Sequence, residues 1–244
     1  VIHFPPNWRR IAFLASLRIR NPKTKIILIE HGYTGAWEAL KVPNRRRFRK
    51  MLGIAYRMVD QLVCVSNGQA AWLSDATGID RTKIQVIYPA AANPGLAELA
   101  LPRFAPGRPL RIGAYGRFVE AKGFDRLIGA WRRGAMPGTE LVIGGYGPDE
   151  EALRALAGDA EGIVFYGKVS NLAHFLGQCD VIAVPSRWEA YGQVANEARE
   201  AGRPILVSPI DGLAEQVGQA GLRVDFASDA AISVAISQLD PLTL

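Results

Sequence analysis

Short runs rich in Val and Ile recur along almost the whole chain, separated one at a time by helical patterns. The runs are Val1–Phe4, Lys25–Ile29, Gln61–Val65 and Lys83–Ile87, then Leu110–Ala114, Glu140–Ile143, Gly162–Phe165, Asp180–Val184, Pro204–Val207 and Leu222–Val224. Helical patterns fall near Trp8–Ile19, Arg45–Val59, Gly68–Thr77, Phe124–Arg132, Glu150–Ala157, Leu172–Leu176, Gln193–Ala201 and Leu213–Val217. Near-continuous apolar strands are those of a sheet covered on both faces, and one helix between successive strands makes βαβ units. The pattern predicts an α/β protein with parallel sheets.

The series breaks once, at Tyr88–Pro109, which holds Pro89, Pro94, Pro102, Pro106, Pro109 and an alanine triplet. Proline at this density opposes both helix and central strand, so the segment reads as a linker. Two Rossmann-like domains facing a cleft are expected. Residues 1–95 form a partial first domain, 96–108 the linker and 109–244 the second domain. A length of 244 residues suits one or two domains. It also allows a large core without disulfides. The two cysteines, Cys64 and Cys179, lie inside apolar runs and read as buried free thiols.

No apolar stretch approaches the roughly 20 residues that span a bilayer. Net charge is +6 and uneven: residues 1–60 hold 13 Lys or Arg against 3 Asp or Glu. The densest run, Arg45-Arg46-Arg47-Phe48-Arg49-Lys50, is followed by Met51 and Leu52. It reads either as a solvated helix face or as a contact for an anionic membrane surface. No nucleic-acid-binding motif accompanies it, so nucleic acid is not expected as a partner.

In open parallel sheets, ligands bind beyond the carboxyl ends of strands, so the loops after the predicted strands are where chemistry is sought. After Leu110–Ala114 come Gly116, Arg117, Lys122 and Gly123. Arg offers a planar fork and Lys a point charge, a pair able to grip two phosphoryl groups. After Glu140–Ile143 comes Gly144-Gly145-Tyr146-Gly147, which lacks the third glycine of a dinucleotide fingerprint. It reads equally as a tight turn or as a ligand contact. After Asp180–Val184 comes Pro185-Ser186-Arg187-Trp188-Glu189-Ala190-Tyr191-Gly192, and Gln193 then opens a helix ended by Gly202. Such a helix start, with free N–H groups, suits a phosphate. Glu197 lies over one turn in, beside Val194, Ala195, Ala198 and Ala201. A carboxylate in that company needs a partner, either ribose hydroxyls or a nearby Arg.

Glu189 and Glu197 bracket seven residues, and this spacing resembles the E-x7-E signature of the retaining glycosyltransferase family 4, whose fold is GT-B. Other pieces follow in that family's order. Gly116-Arg117-Phe118…Lys122-Gly123 resembles its donor loop, and Gly144 to Gly147 its glycine-rich turn. Gly167-Lys168-Val169 resembles the loop beside the nucleotide base, and Ser208 to Glu215 the last donor loop. Glu30-His31-Gly32-Tyr33 resembles the stretch whose histidine faces the donor sugar; His3 and His174 carry no such match.

The resemblance implies transfer of a sugar from a UDP- or GDP-sugar to a glycan or lipid-linked acceptor, with retention of configuration. Catalytic work would fall to Glu189, His31, Arg117 and Lys122. Donor binding would involve Gly116, Arg117, Lys122, Gly145, Val169, Glu189, Tyr191, Gly192, Gln193, Val194 and Glu197. No metal or other cofactor is expected, since no D-x-D occurs and cationic side chains would neutralise the leaving diphosphate. A polysaccharide-synthesising enzyme in the cytoplasm, peripheral to the membrane, follows as an expectation. The same resemblance suggests a chain truncated before Val1 and after Leu244, with doubtful activity in isolation. Asp211 stands where many members of the family carry glycine. Alternatives in other classes are a GT-B sugar-nucleotide epimerase, a phosphorylase and a catalytically silent nucleotide-sugar-binding domain. A nicotinamide-dependent dehydrogenase is disfavoured by the incomplete glycine fingerprint.

Overall fold

A computed structural model describes residues 1–90, 93–102, 107–134, 136–218 and 221–239. They divide into two units, Val1–Ala90 with Trp188–Tyr191, and Ala91–Arg187 with Gly192–Leu244. Of the proline-rich linker, Ala91, Ala92 and residues 103–106 lie outside the described residues.

The first unit contains α1 (Trp8–Arg20), β1 (Ile27–Glu30), α2 (Gly35–Lys41), α3 (Arg45–Arg57), β2 (Gln61–Cys64), α4 (Asn67–Thr77) and β3 (Ile84–Val86). Its sheet is parallel, in the order β1-β2-β3. Every one of its α-helices starts at a residue whose side chain accepts from the backbone three positions on: Asn7 from Arg10, Thr34 from Trp37, Asn44 from Arg47 and Ser66 from Gln69. Leu14, Leu28, Leu52, Tyr56, Leu62 and Leu73 form the fully buried centre.

Three expectations change here. Val1–Phe4 is no strand but a single parallel bridge from Ile2 to Leu28, because Pro5 and Pro6 cannot donate to a continuing ladder. Helix α2 has no counterpart in the sequence pattern, as its seven residues are too few to show a helical period. Met51 and Leu52 are buried, and Phe48 packs on Tyr33 and Trp37. The apolar residues that accompany the basic run therefore belong to the core, not to an outward membrane face.

The second unit contains β4 (Leu110–Arg117), α5 (Phe124–Arg132), β5 (Thr139–Tyr146), α6 (Glu150–Ala157), β6 (Ile163–Gly167), α7 (Leu172–Gly177), β7 (Val181–Val184), α8 (Gln193–Glu200), β8 (Ile205–Val207), β9 (Gly221–Arg223) and α9 (Asp229–Ser237). The sheet is parallel throughout, in the order β6-β5-β4-β7-β8-β9. Alternate strand residues feed two cores. Ile112, Leu141, Val181 and Ala183 pack with α5, α6 and α9, while Val142, Ile182 and Val184 pack with α7 and α8.

Strands β4 and β5 run longer than expected, to Arg117 and Tyr146, so Gly116 and Gly145 are paired strand residues rather than loop residues. Leu213–Val217 is a series of turns (Leu213 N to Ile210 O, Gln216 N to Leu213 O, each 3.0 Å) and not a helix. Five residues before Gly218 are too few to repay helix nucleation. Helix α9, capped by Ser228, has no counterpart in the sequence pattern, because its Ala, Ile and Val residues leave no clear polar face.

Candidate functional site

The order of strands locates the site within the second unit. From β4 the chain winds to β5 and β6 on one side, then returns to β7 on the other side of β4. Loops leaving such neighbours diverge, and the crevice at their carboxyl ends is where open α/β sheets bind ligands.

Here the two loops are tied together. Arg187, after β7, donates its backbone N–H to Ala121 O (2.7 Å). Its guanidinium donates to Glu120 O (3.0 Å) and to both carboxylate oxygens of Asp125 (2.7 and 2.5 Å). Gly123 adopts φ +66°, and a Cβ there would lie 2.2 Å from Pro185 O, so only glycine lets the loops abut.

The helices that follow differ from the rest. α7 and α9 are capped by the side chains of Asn171 and Ser228. By contrast α5 and α8 start at glycines, Gly123 and Gly192, with no side-chain cap; α6 also lacks one. Their first-turn N–H groups keep the partial positive charge that a phosphate could take up.

Around these helix starts stand most of the residues singled out by sequence. Arg117 ends β4, exposed, and among the described residues it has no ion-pair partner. Lys122, half-buried in a short 3-10 turn, lines a small cavity with Tyr115, Phe124, Pro185, Ser186 and Val194. Gln193 and Val194 are the first two residues of α8, and Glu197 follows one turn on. The partner that Glu197 requires is Tyr115, whose hydroxyl donates to its Oε2 at 2.6 Å, and not an arginine. Burial, then the Glu197 charge and this hydrogen bond, hold the Tyr115 phenol well above its ordinary value, so it stays a donor. Tyr115, Val169 and Val194 pack on one cluster around Phe175.

Gly145 stands opposite Gly116 in the ladder, and a Cβ on it would fall 1.9 Å from Gly116 O. Strand packing therefore suffices to explain this glycine. Asp211, after β8, has φ +38°, a conformation that glycine would adopt freely. Among the described residues, no group of three or more His, Cys, Asp or Glu could hold a metal ion. Burial pushes the thiols of Cys64 and Cys179 up to about 12.

The remaining candidates belong to the first unit. His31 follows β1, exposed, its ring 6.4 Å from that of His3. The turn that carries it is built on the buried Glu30 carboxylate, which accepts from Gly32 N (2.9 Å), Tyr33 N (3.1 Å) and Tyr56 OH (2.8 Å). Glu189 and Tyr191 lie in the segment Trp188–Tyr191, which groups with this unit. Tyr191 sets its ring 5.5 Å from that of Tyr88.

Sequence reasoning missed Tyr115, Arg187, Asp125 and Glu30. Tyr115, Arg187 and Asp125 have partners 62 or 82 positions away, and Glu30 has Tyr56 26 positions away, so none leaves a local periodic signal.

The chain matches the family of glycosyl transferases group 1 over residues 109–240 and glycosyltransferase family 4 over residues 1–91. It is 30% identical to a lipopolysaccharide core biosynthesis glycosyltransferase of Rhizobium meliloti, over 75% of this chain and 55% of that protein. It is 27% identical to a GDP-mannose-dependent monoacylated alpha-(1-6)-phosphatidylinositol monomannoside mannosyltransferase of Corynebacterium glutamicum, over 95% of this chain and 65% of that protein. The chain thus spans between half and two thirds of the length of these relatives. Among solved structures, Anabaena HepE in complex with UDP superposes with a TM-score of 0.73 at 16% identity, over 93% of this chain and 65% of that one. The sucrose-phosphate synthase of Thermosynechococcus elongatus superposes at 0.70 with 20% identity, over 98% and 72%. These neighbours and the two parallel-sheet units identify the fold as GT-B. Since the group 1 match extends over more than half of its residues, the chain belongs to the glycosyl transferases of group 1.

Proposed function

We propose that the second unit binds a nucleoside diphosphate sugar and that the protein transfers its sugar to an acceptor with retention of anomeric configuration. The observation that carries this reading is the convergence of two glycine-started, uncapped helices with Arg117 and Lys122 at one switch point of the sheet. An anion with two phosphoryl groups meets both requirements of such a place, charge and N–H donors.

In this reading Arg117 and Lys122 hold the diphosphate. The backbone of Gly192, Gln193 and Val194 lends N–H groups, and Gly116 permits close approach. Val169, with Gly145 nearby, borders the base. With Tyr115 on its Oε2, Glu197 offers Oε1 to the ribose hydroxyls. Glu189, Tyr191 and His31, which belong to the first unit, are assigned to the transferred sugar on the sequence resemblance alone. The bond from the anomeric carbon to the phosphate oxygen breaks, and the electron pair leaves with the nucleoside diphosphate. The acceptor hydroxyl oxygen bonds to the same face of that carbon, and its proton passes to the departing phosphate. The cations stabilise the charge of the leaving group, with no metal ion invoked.

The UDP bound by the Anabaena neighbour supports a uridine donor, and the mannosyltransferase relative a guanosine donor. The lipopolysaccharide relative supports a glycan or lipid-linked acceptor in polysaccharide synthesis. The exposed cationic row Arg45–Lys50 would meet an anionic membrane by charge alone, which suits a peripheral protein at its cytoplasmic face. No described helix is long and apolar enough to cross a membrane.

Calorimetric titration of the chain with UDP and GDP, without metal, tests the donor site. One nucleotide is expected to bind saturably, and Lys122→Ala and Glu197→Ala to weaken it about 10- to 100-fold. Failure of both nucleotides to bind at millimolar concentration would reject the site in this chain.

A further inference from the structure

The loop bearing Lys122 has no regular structure to hold it beyond one 3-10 turn, Glu120–Lys122. A point charge must nevertheless be held within a fraction of an ångström to favour one phosphoryl group over water. The Arg187 side chain supplies the restraint. Its fork spans the loop from Glu120 O to the Asp125 carboxylate in the first turn of α5, and its own N–H fixes Ala121 between them. Lys122 and Gly123 are thereby enclosed on both sides, and Gly123 meets Pro185 O on the third.

We infer that the Arg187–Asp125 pair is a positioning device that sets the Lys122 loop for the second phosphoryl group of the donor. This rests on the donor-site reading above. Arg187 is two-thirds or more buried as a side chain (19% exposed), and its guanidinium is engaged by a carboxylate and a carbonyl. It therefore acts on the loop and not as a phosphate ligand. The hydrogen bonds to Asp125, with its charge, outweigh burial and hold the guanidinium pKa above its usual value, and this pair of parallel hydrogen bonds depends on the planar fork. Lysine cannot reproduce it: one ammonium cannot reach both Asp125 oxygens and Glu120 O in the same geometry.

The test compares nucleoside diphosphate with nucleoside monophosphate of whichever base binds, on the full chain and on Arg187→Lys, Asp125→Asn and the double variant. A merely structural role would weaken both ligands together. Positioning of Lys122 predicts about 10-fold weaker diphosphate binding in each single variant, with monophosphate binding changed less than about twofold. The double variant is expected to be no worse than either single one, because either change alone opens the clamp. Asp125→Asn keeps size and shape, so it reports even if Arg187→Lys folds poorly, and thermal melting checks that each variant is folded. Unchanged diphosphate binding, or equal loss of both ligands, overturns the positioning role while leaving the donor site standing. Absence of diphosphate binding in the unaltered chain overturns the donor site and the positioning role together.

Discussion

Gly145→Ala tests whether this strand glycine serves packing or ligand. A Cβ at this position would sit 1.9 Å from Gly116 O and 2.9 Å from a ring carbon of Phe118, and real Cβ atoms essentially never approach a neighbour closer than 3.0 Å. The two backbones must part by about an ångström, at a point where β4 and β5 pair in register. The residue would also have to hold φ near +145°, which side-chain-bearing residues rarely adopt. Overpacking of this kind costs about 1–3 kcal/mol. The backbone conformation adds about 1–3 kcal/mol. A loss of about 2–6 kcal/mol is a large share of the roughly 5–15 kcal/mol that holds a domain folded. For a unit of this size it corresponds to a fall in melting temperature of about 5–20 °C. Calorimetric or circular-dichroism melting reads this directly. A variant that melts within about 2 °C of the unaltered chain yet has lost nucleotide binding would refute the packing argument and make Gly145 a ligand contact.

Tyr115→Phe removes the donor to Glu197 and should cost about 1–1.5 kcal/mol at neutral pH, the low end for a bond to a charged group because Glu197 is part-exposed. The folded-state pKa of Tyr115 lies above the unfolded value of about 10, so its contribution is full below pH 10 and lost as pH rises beyond it. Urea unfolding in that alkaline window should fall less steeply in the variant, by up to about 1.4 kcal/mol per pH unit; parallel slopes would contradict the assignment. In the first unit, Glu38 (side chain 3% exposed) accepts from Arg49 at 2.6 and 2.8 Å and from Trp72 at 3.0 Å. Burial raises its pKa, but the hydrogen bonds from Arg49 and Trp72 outweigh that and hold it below the usual value. Arg49→Met should therefore cost about 1–3 kcal/mol. The stability due to Glu38 is present above pH 4–5 and lost as pH falls through its lowered folded value, so acid unfolding of the variant should show a shallower decline.

Much of the fold was legible in the order of residues. Helices α5 and α6 fall where periodicity and flanking glycines put them, because an amphipathic period with stop signals is a local property. The parallel sheets followed from uninterrupted apolar runs such as Val181–Val184, which only a sheet covered on both faces can bury. Charged and glycine-rich stretches after β4 and β7 marked the neighbourhood of the candidate site, since in such sheets those loops lie at the ligand edge.

What the order of residues could not decide lies in pairings across the sheet. Gly145 reads as a loop glycine until the ladder sets it against Gly116. Met51 and Leu52 read as companions of a surface charge run until α3 turns them into the core. Glu197 needs a partner by any reading, yet that it is Tyr115, 82 residues earlier, depends on β4 and α8 meeting at the switch point. The pairing of Arg187 with Asp125 depends likewise on β7 returning beside β4. Local sequence sets what each segment can become, because helix period, caps and turns act over a few residues. Which distant groups satisfy one another is set only when the sheet brings their strands side by side.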